Sequence, residues 1–268
     1  MGRISTMLPA AAAAVVLAAF AQAAELSVTR LDCGTPETVA VNQYYSDTFA
    51  LGDMKRQFVF SCYLIKHGDD YMLWDTGHSM TEPKVAPKVS IVDQLAKLNI
   101  KPDQIKYVGI SHYHADHTGQ VGSFPKAELL IGTGDWDAIT SPHPAEGVNY
   151  KPFEPWAKGE SKVTPVATDK DIFGDGSVIM LATPGHTPGH HSLLVKLAKR
   201  NLIFTGDAAH FRENWDADGV PWYNYDRAST IASIERLKKL AANLHATVII
   251  QHDPRDVSKL PPFPEAAR

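Results

Sequence analysis

Between residues 107 and 119 the chain reads Tyr-Val-Gly-Ile-Ser-His-Tyr-His-Ala-Asp-His-Thr-Gly. His112 and His114 are two apart, so in an extended stretch they point to the same side and can chelate one ion. Asp116 and His117 follow where the chain starts to turn, and they can aim at a second ion beside the first. An apolar run that ends at Ile110 gives no packing reason for a cluster of imidazoles to follow it. Three more apolar runs end on the same residue types. His186 lies in Thr-Pro-Gly-His-Thr-Pro-Gly-His after residues 178–181, Asp207 closes the run 202–205 through a glycine, and His252 follows 248–250. Histidine nitrogen with carboxylate oxygen suits zinc, in a shell that leaves a place for water. The composition agrees, because 12 His against 2 Cys points to nitrogen and oxygen ligands rather than sulfur.

These residues need strand ends gathered along one rim. Short apolar runs predict strands over 58–65, 71–74, 107–110, 129–131, 178–181, 192–195, 202–205 and 248–250. Helical spacing appears at 91–98 and over 228–244, where Ile231, Ile234, Leu237, Leu240 and Leu244 form one stripe. Strands mixed with helices along the chain predict a layered α/β sandwich. The stretch 141–165 carries five prolines and reads as a loop, on which Phe153 and Trp156 are placed to cover a pocket or to run over the surface.

Composition narrows the function classes. An apolar content of 44% and a charged content of 21% are those of a soluble globule, not of a disordered or polytopic membrane chain. A net charge of −4 argues against a nucleic-acid partner, which would call for a basic stripe. Residues 1–23 read as a signal peptide: Arg3 is the only charge, an Ala-rich run follows, and Ala21-Gln22-Ala23 is a cleavage pattern. That run is too short for a membrane span. The mature chain is then one hydrolase domain over 24–268, placed in the periplasm or secreted. Export permits a Cys33–Cys62 disulfide, but Cys62 sits in a strand-like run and is read as a small buried apolar residue.

The motifs His112-x-His114-x-Asp116-His117, Gly185-His186, Gly206-Asp207 and Gln251-His252 resemble those of the metallo-β-lactamase superfamily, over about 58–253. The resemblance implies an αββα sandwich and two zinc ions. His112, His114 and His186 would hold one ion, Asp116, His117 and His252 the other, and Asp207 would bridge them. Asp75, in Leu-Trp-Asp-Thr-Gly, matches an early motif of the superfamily and would orient a ligand imidazole. The other histidines, among them His78, His190 and His191, are read as loop, packing or hydrogen-bonding residues.

Within the superfamily, the chain resembles the N-acyl homoserine lactonases. Both cysteines precede the first His motif, which argues against the branch with a cysteine ligand, and His114 stands where iron-binding members have Glu. The run 183–193 and the residues after Asp207 support this branch. The implied activity is opening of a lactone ring by a metal-bridging hydroxide, with Asp116 as proton carrier. Residues 44–57 would shape the substrate tunnel and a homodimer contact. Phe211, Trp215, Trp222 and Tyr223 are candidates to line a groove for the acyl tail, or to pack in the core. Many relatives carry Tyr three residues after the bridging Asp. This chain has His210, which would donate a similar hydrogen bond to the substrate carbonyl. The alternative is a related hydrolase acting on a β-lactam, thioester, isothiocyanate or organophosphate.

Overall fold

Leu129, Leu130 and Ile131 are consecutive and fully buried, yet Leu130 belongs to one core while its two neighbours belong to another. Successive side chains of a strand point to opposite faces, so a strand with both faces apolar must be covered on both sides. The computed structural model describes residues 25–144 and 148–268, together with Gly2. Apart from Gly2, the expected signal segment lies outside the described residues.

The first sheet is built from β1 (Leu26–Ala40), β2 (Lys55–His67), β3 (Asp70–Trp74), β4 (Ile105–Ile110), β5 (Glu128–Gly132) and β6 (Val163–Val166), in that spatial order. Pairing is antiparallel from β1 to β3 and parallel from β3 to β6. Among them run α1 (Val41–Tyr45), α2 (Ile91–Lys97), α3 (Ala115–Thr118), α4 (Thr133–Thr140) and α5 (Glu154–Ala157). The second sheet takes β7 (Lys170–Asp171), β8 (Val178–Ala182), β9 (His191–Lys196), β10 (Asn201–Phe204) and β11 (Thr247–Ile249), in the order β11-β10-β9-β8-β7. Between β10 and β11 lie α6 (Arg212–Ala217) and α7 (Arg227–Asn243).

Three cores make four layers. Ile65, Met72, Trp74 and Leu130 of the first sheet meet Met180, Leu193, Val195 and Phe204 of the second. On the outer face of the first sheet, Leu73, Val108 and Ile110 pack with Ile91 and Leu95 of α2. On the outer face of the second, Leu194 and Ile203 pack with Ile234 and Leu237 of α7. This is the expected αββα sandwich. Both predicted helices start on a capped turn: Ser90 accepts from the Asp93 N–H at 3.0 Å, and Asp226 from the Ser229 N–H at 2.6 Å.

Three readings need correction. Cys33 and Cys62 form a disulfide, with Cα atoms 5.8 Å apart. The register of β1 on β2 breaks between Asp32 and Gly34, which brings Cys33 against the strand that carries Cys62. Both are buried, as expected of Cys62, but as a pair. The stretch 141–165 is not a plain loop, because it contains α5 and the start of β6, and Pro165 is tolerated on that edge strand. Phe153 and Trp156 do not cover a pocket. They lie in the outer core of the first sheet, where Trp156 donates its indole N–H to Ala127 O at 3.0 Å.

The edge of β1 is closed by Ala267, whose N–H and carbonyl bond those of Val28 at 2.8 and 3.0 Å. Among the described residues no helix is long and apolar enough to cross a membrane.

Because Leu237 is a fully buried contact of α7 with the second sheet, Leu237→Ala should cost about 2–5 kcal/mol. Glu235→Ala, on the exposed face of the same helix, should stay within about 0.5 kcal/mol. Urea unfolding of the two variants checks this; equal losses would place the layer contact elsewhere.

Candidate metal centre

Four strand ends deliver the predicted residues to one place. His112 and His114 follow β4, and α3 turns at once to present Asp116 and His117. His186 lies between β8 and β9, Asp207 in a tight turn after β10, and His252 just after β11. The ligand atoms of His112, His114, His186 and Asp207 lie within 4.8 Å of one another, as do those of Asp116, His117, Asp207 and His252. Asp207 is common to both groups.

The rings are fixed from behind. His117 Nδ1 is 2.9 Å from Asp75 Oδ2, and His252 Nδ1 donates to Val59 O at 2.8 Å. Ser111 Oγ lies 3.0 Å from His112 Nδ1. Each of these rings therefore turns Nε2 inward. His112 Nε2 and His186 Nε2 approach His114 Nδ1 to 2.9 and 3.0 Å, and His117 Nε2 lies 3.2 Å from His252 Nε2. Asp207 Oδ1 is 2.8 Å from His252 Nε2 and 3.3 Å from His117 Nε2. Its Oδ2 is 3.6 and 3.5 Å from the Nε2 atoms of His112 and His186.

The electrostatics match the geometry. Burial, and then the neighbouring imidazoles of His117 and His114, push His112 and His186 well below the ordinary histidine range. Their rings are neutral, with lone pairs to offer. Burial opposes charge on His117 as well, but the carboxylates of Asp207, Asp116 and Asp75 prevail and hold it well above that range. Burial also opposes charge on Asp116 and Asp207, and the surrounding imidazoles outweigh it, holding both carboxyls well below the usual range. Converging lone pairs, one buried and one half-buried carboxylate and an Asp207 Oδ1 that accepts no hydrogen bond are a donor set for divalent cations.

Asp75 sits at the end of β3 with a left-handed φ of 60°. Besides facing His117, it accepts from Ser111 N at 2.7 Å, Ser111 Oγ at 2.9 Å and Gln251 Nε2 at 2.8 Å. His210 lies with its Nε2 3.0 Å from Asp207 Oδ2, while its Nδ1 is buried and without a partner.

The four groove candidates separate. Phe211 is fully buried, edge to face against Tyr45 and Phe58, and Trp215 is packed at 7% exposure under α7. They support the site from within and offer no groove surface. Trp222 is 67% exposed, and Tyr223, 38% exposed, faces His114 and His186 at ring separations of 6.4 and 5.9 Å. Tyr45 falls in the stretch 44–57 expected to shape the tunnel, without having been singled out. Its ring is tilted against that of His210 at 4.7 Å, and burial, with Asp116 and Asp207, keeps its phenol protonated.

His190 and Asp135 also escaped notice as supports of the site. His190 Nδ1 donates to Thr183 O at 2.9 Å, and its Nε2 accepts the backbone N–H of Asp207 at 2.9 Å. Gly206 is required there, since a Cβ would stand 2.7 Å from that Nε2. Asp135, fully buried at the start of α4, accepts from Tyr113 N, Thr187 Oγ1 and Gly189 N.

Burial pushes His190 down to about 3. A depressed imidazole contributes stability above about pH 6.5 that is lost as pH falls toward the folded value. In metal-free protein, His190→Gln should therefore flatten the fall of unfolding free energy between pH 6.5 and 4 by up to about 1.4 kcal/mol per pH unit. Urea unfolding across that range measures the slope, and an unchanged slope would assign the proton uptake to other groups.

Known proteins agree with this geometry. The sequence matches the Metallo-beta-lactamase superfamily over residues 58–252. N-acyl homoserine lactonase AttM of Rhizobium radiobacter is 35% identical over 167 residues, 61% of this chain and 64% of that protein, so the match spans less than two thirds of the relative. AttM of Rhizobium johnstonii is 30% identical over 223 residues, 76% of this chain and 85% of that one. An N-acyl homoserine lactone hydrolase solved with N-hexanoyl-L-homoserine at its catalytic metal center superposes with a TM-score of 0.74 at 23% identity. That superposition covers 92% of this chain and 100% of the other, and the likeness is one of fold. From the matched motifs, the four layers and the rim of strand ends, the chain belongs to the metallo-β-lactamase superfamily.

Proposed function

We propose that the protein is a dinuclear-zinc hydrolase that opens the lactone ring of N-acyl homoserine lactones. The observation that carries this reading is the pair of four-residue clusters sharing Asp207, in which ring nitrogens converge and the far sides of His112, His117 and His252 are already committed. His112, His114 and His186 would hold one zinc, Asp116, His117 and His252 the other, and Asp207 would bridge. When bound, the two zinc ions supply an activated water and a Lewis acid for the carbonyl.

The protein's own groups do the rest. In hydrolysis, water adds to the carbonyl carbon, the ring C–O bond breaks, and one proton passes from the water to the departing oxygen. Asp116 is suited to carry it. Its carboxylate lies 3.5 and 3.6 Å from the Nε2 atoms of His117 and His252, and it is partly open to solvent. Asp75, with Gln251 and Ser111 behind it, keeps His117 in one tautomer. His210 steadies Asp207. The phenol of Tyr45 stays protonated, chiefly through burial, and with that of Tyr223 it is placed as a hydroxyl donor for a substrate carbonyl. Exposed Trp222 and Tyr225 give that mouth an apolar rim suited to an acyl tail. The signal-like segment and the Cys33–Cys62 disulfide support a periplasmic or secreted enzyme.

Zinc-loaded protein should open acyl homoserine lactones in a pH-stat assay across a series of chain lengths. Chelator-stripped protein should be inactive and recover with zinc, and Asp116→Asn should lower kcat by about 10²–10⁴. No turnover at any chain length, by protein carrying two zinc ions, would overturn the lactonase reading. Nitrocefin and paraoxon would then test the alternatives.

A further inference from the structure

We infer that Asp135 is a positioning residue for the cluster of His112, His114 and His186. It joins the two loops that carry them and touches no metal itself. Its Oδ2 accepts from Tyr113 N at 3.1 Å and from Thr187 Oγ1 at 2.8 Å, and its Oδ1 accepts from Gly189 N at 2.7 Å. Tyr113 stands between His112 and His114, and Thr187 directly follows His186. One carboxylate therefore sets the spacing of two loops from different sheets, and both loops supply nitrogens to the same cluster.

The surroundings leave this role to a carboxylate. The three partners are a hydroxyl and two backbone N–H groups. The N–H groups can only donate, so a side chain with an acceptor oxygen on each side fits and an amide, which has one, does not. An Asn side chain would satisfy the Oδ2 pair or the Gly189 N–H, and would turn its NH₂ toward a donor on the other side. The backbone is also tightly closed. A Cβ on Gly132 would stand 1.7 Å from Gly189 O, one on Gly134 2.9 Å from Pro188, and one on Gly189 2.4 Å from Asp135 N. No larger residue can enter to take over the bridge. Asp135 is fully buried, so water cannot replace its bonds.

The inference rests on the reading of two metal-holding clusters, and the test separates the two claims. Full-length protein is stripped of metal and titrated with zinc against a chromogenic chelator. His186→Ala and His252→Ala identify which binding step belongs to which cluster. Asp135→Asn should weaken the step that His186→Ala removes by about 10- to 100-fold, and leave the other within about twofold. Cobalt titration should show the same selectivity in its visible absorption. Thr187→Val, which removes one of the three bonds, should weaken that step in the same direction by a smaller factor. It decides the matter if Asp135→Asn does not fold. Two steps unchanged in the variants, or both weakened alike, would overturn the positioning role. Fewer than two zinc ions on the wild type would overturn the reading of the clusters instead.

Discussion

Five imidazoles and two carboxylates converge within a few ångström of each other, nearly all of them cut off from solvent. Such a set is tolerable only if each ring is told which nitrogen faces inward. For three of the five rings the protein does this from behind, by giving the outer nitrogen a partner: Asp75 for His117, the Val59 carbonyl for His252, the Ser111 hydroxyl for His112. A lone pair that has been aimed at a neighbouring lone pair is destabilising without a cation and useful with one. The opposed shifts, with His117 pushed up by three carboxylates while burial and neighbouring imidazoles push His112 and His186 down, follow from the same crowding.

The sandwich is arranged to deliver that crowding. Four of the seven candidate ligands come from the first sheet, through the turn after β4, and three come from loops of the second. Each cluster draws on both sheets, so the rim is a seam and not an extension of either sheet. Close backbone contact on either side of the seam needs glycine. A Cβ on Gly119 would stand 2.1 Å from Ser79 N, and Gly185 takes a φ of 137° where a Cβ would meet Thr230.

Much of this was legible in the sequence, for a physical reason. Metal ligands require particular side chains at particular spacings, so His112 to His117 announce themselves, and apolar periodicity placed eight of the eleven strands and the helices α2 and α7. What stayed hidden depends on contacts between distant segments. β1 holds Gly34 and Pro36 and changes register twice, so it shows no clean alternation. The Cys33–Cys62 bond depends on that irregularity. Phe153 and Trp156 sit among prolines that read as a loop, yet Pro152 and Pro155 open short helical turns that carry both rings inward. Asp135 bonds residues 22 and 54 positions away, and no local pattern marks such a role.

The pairing of Val28 with Ala267 bears on how the chain comes together. A strand met early along the chain is completed on its outer side by a segment met last among the described residues. Until that segment arrives, β1 presents an open edge, the kind of surface that recruits other strands. Closure is thus a late and non-local event, whose loop entropy must be met before any reward.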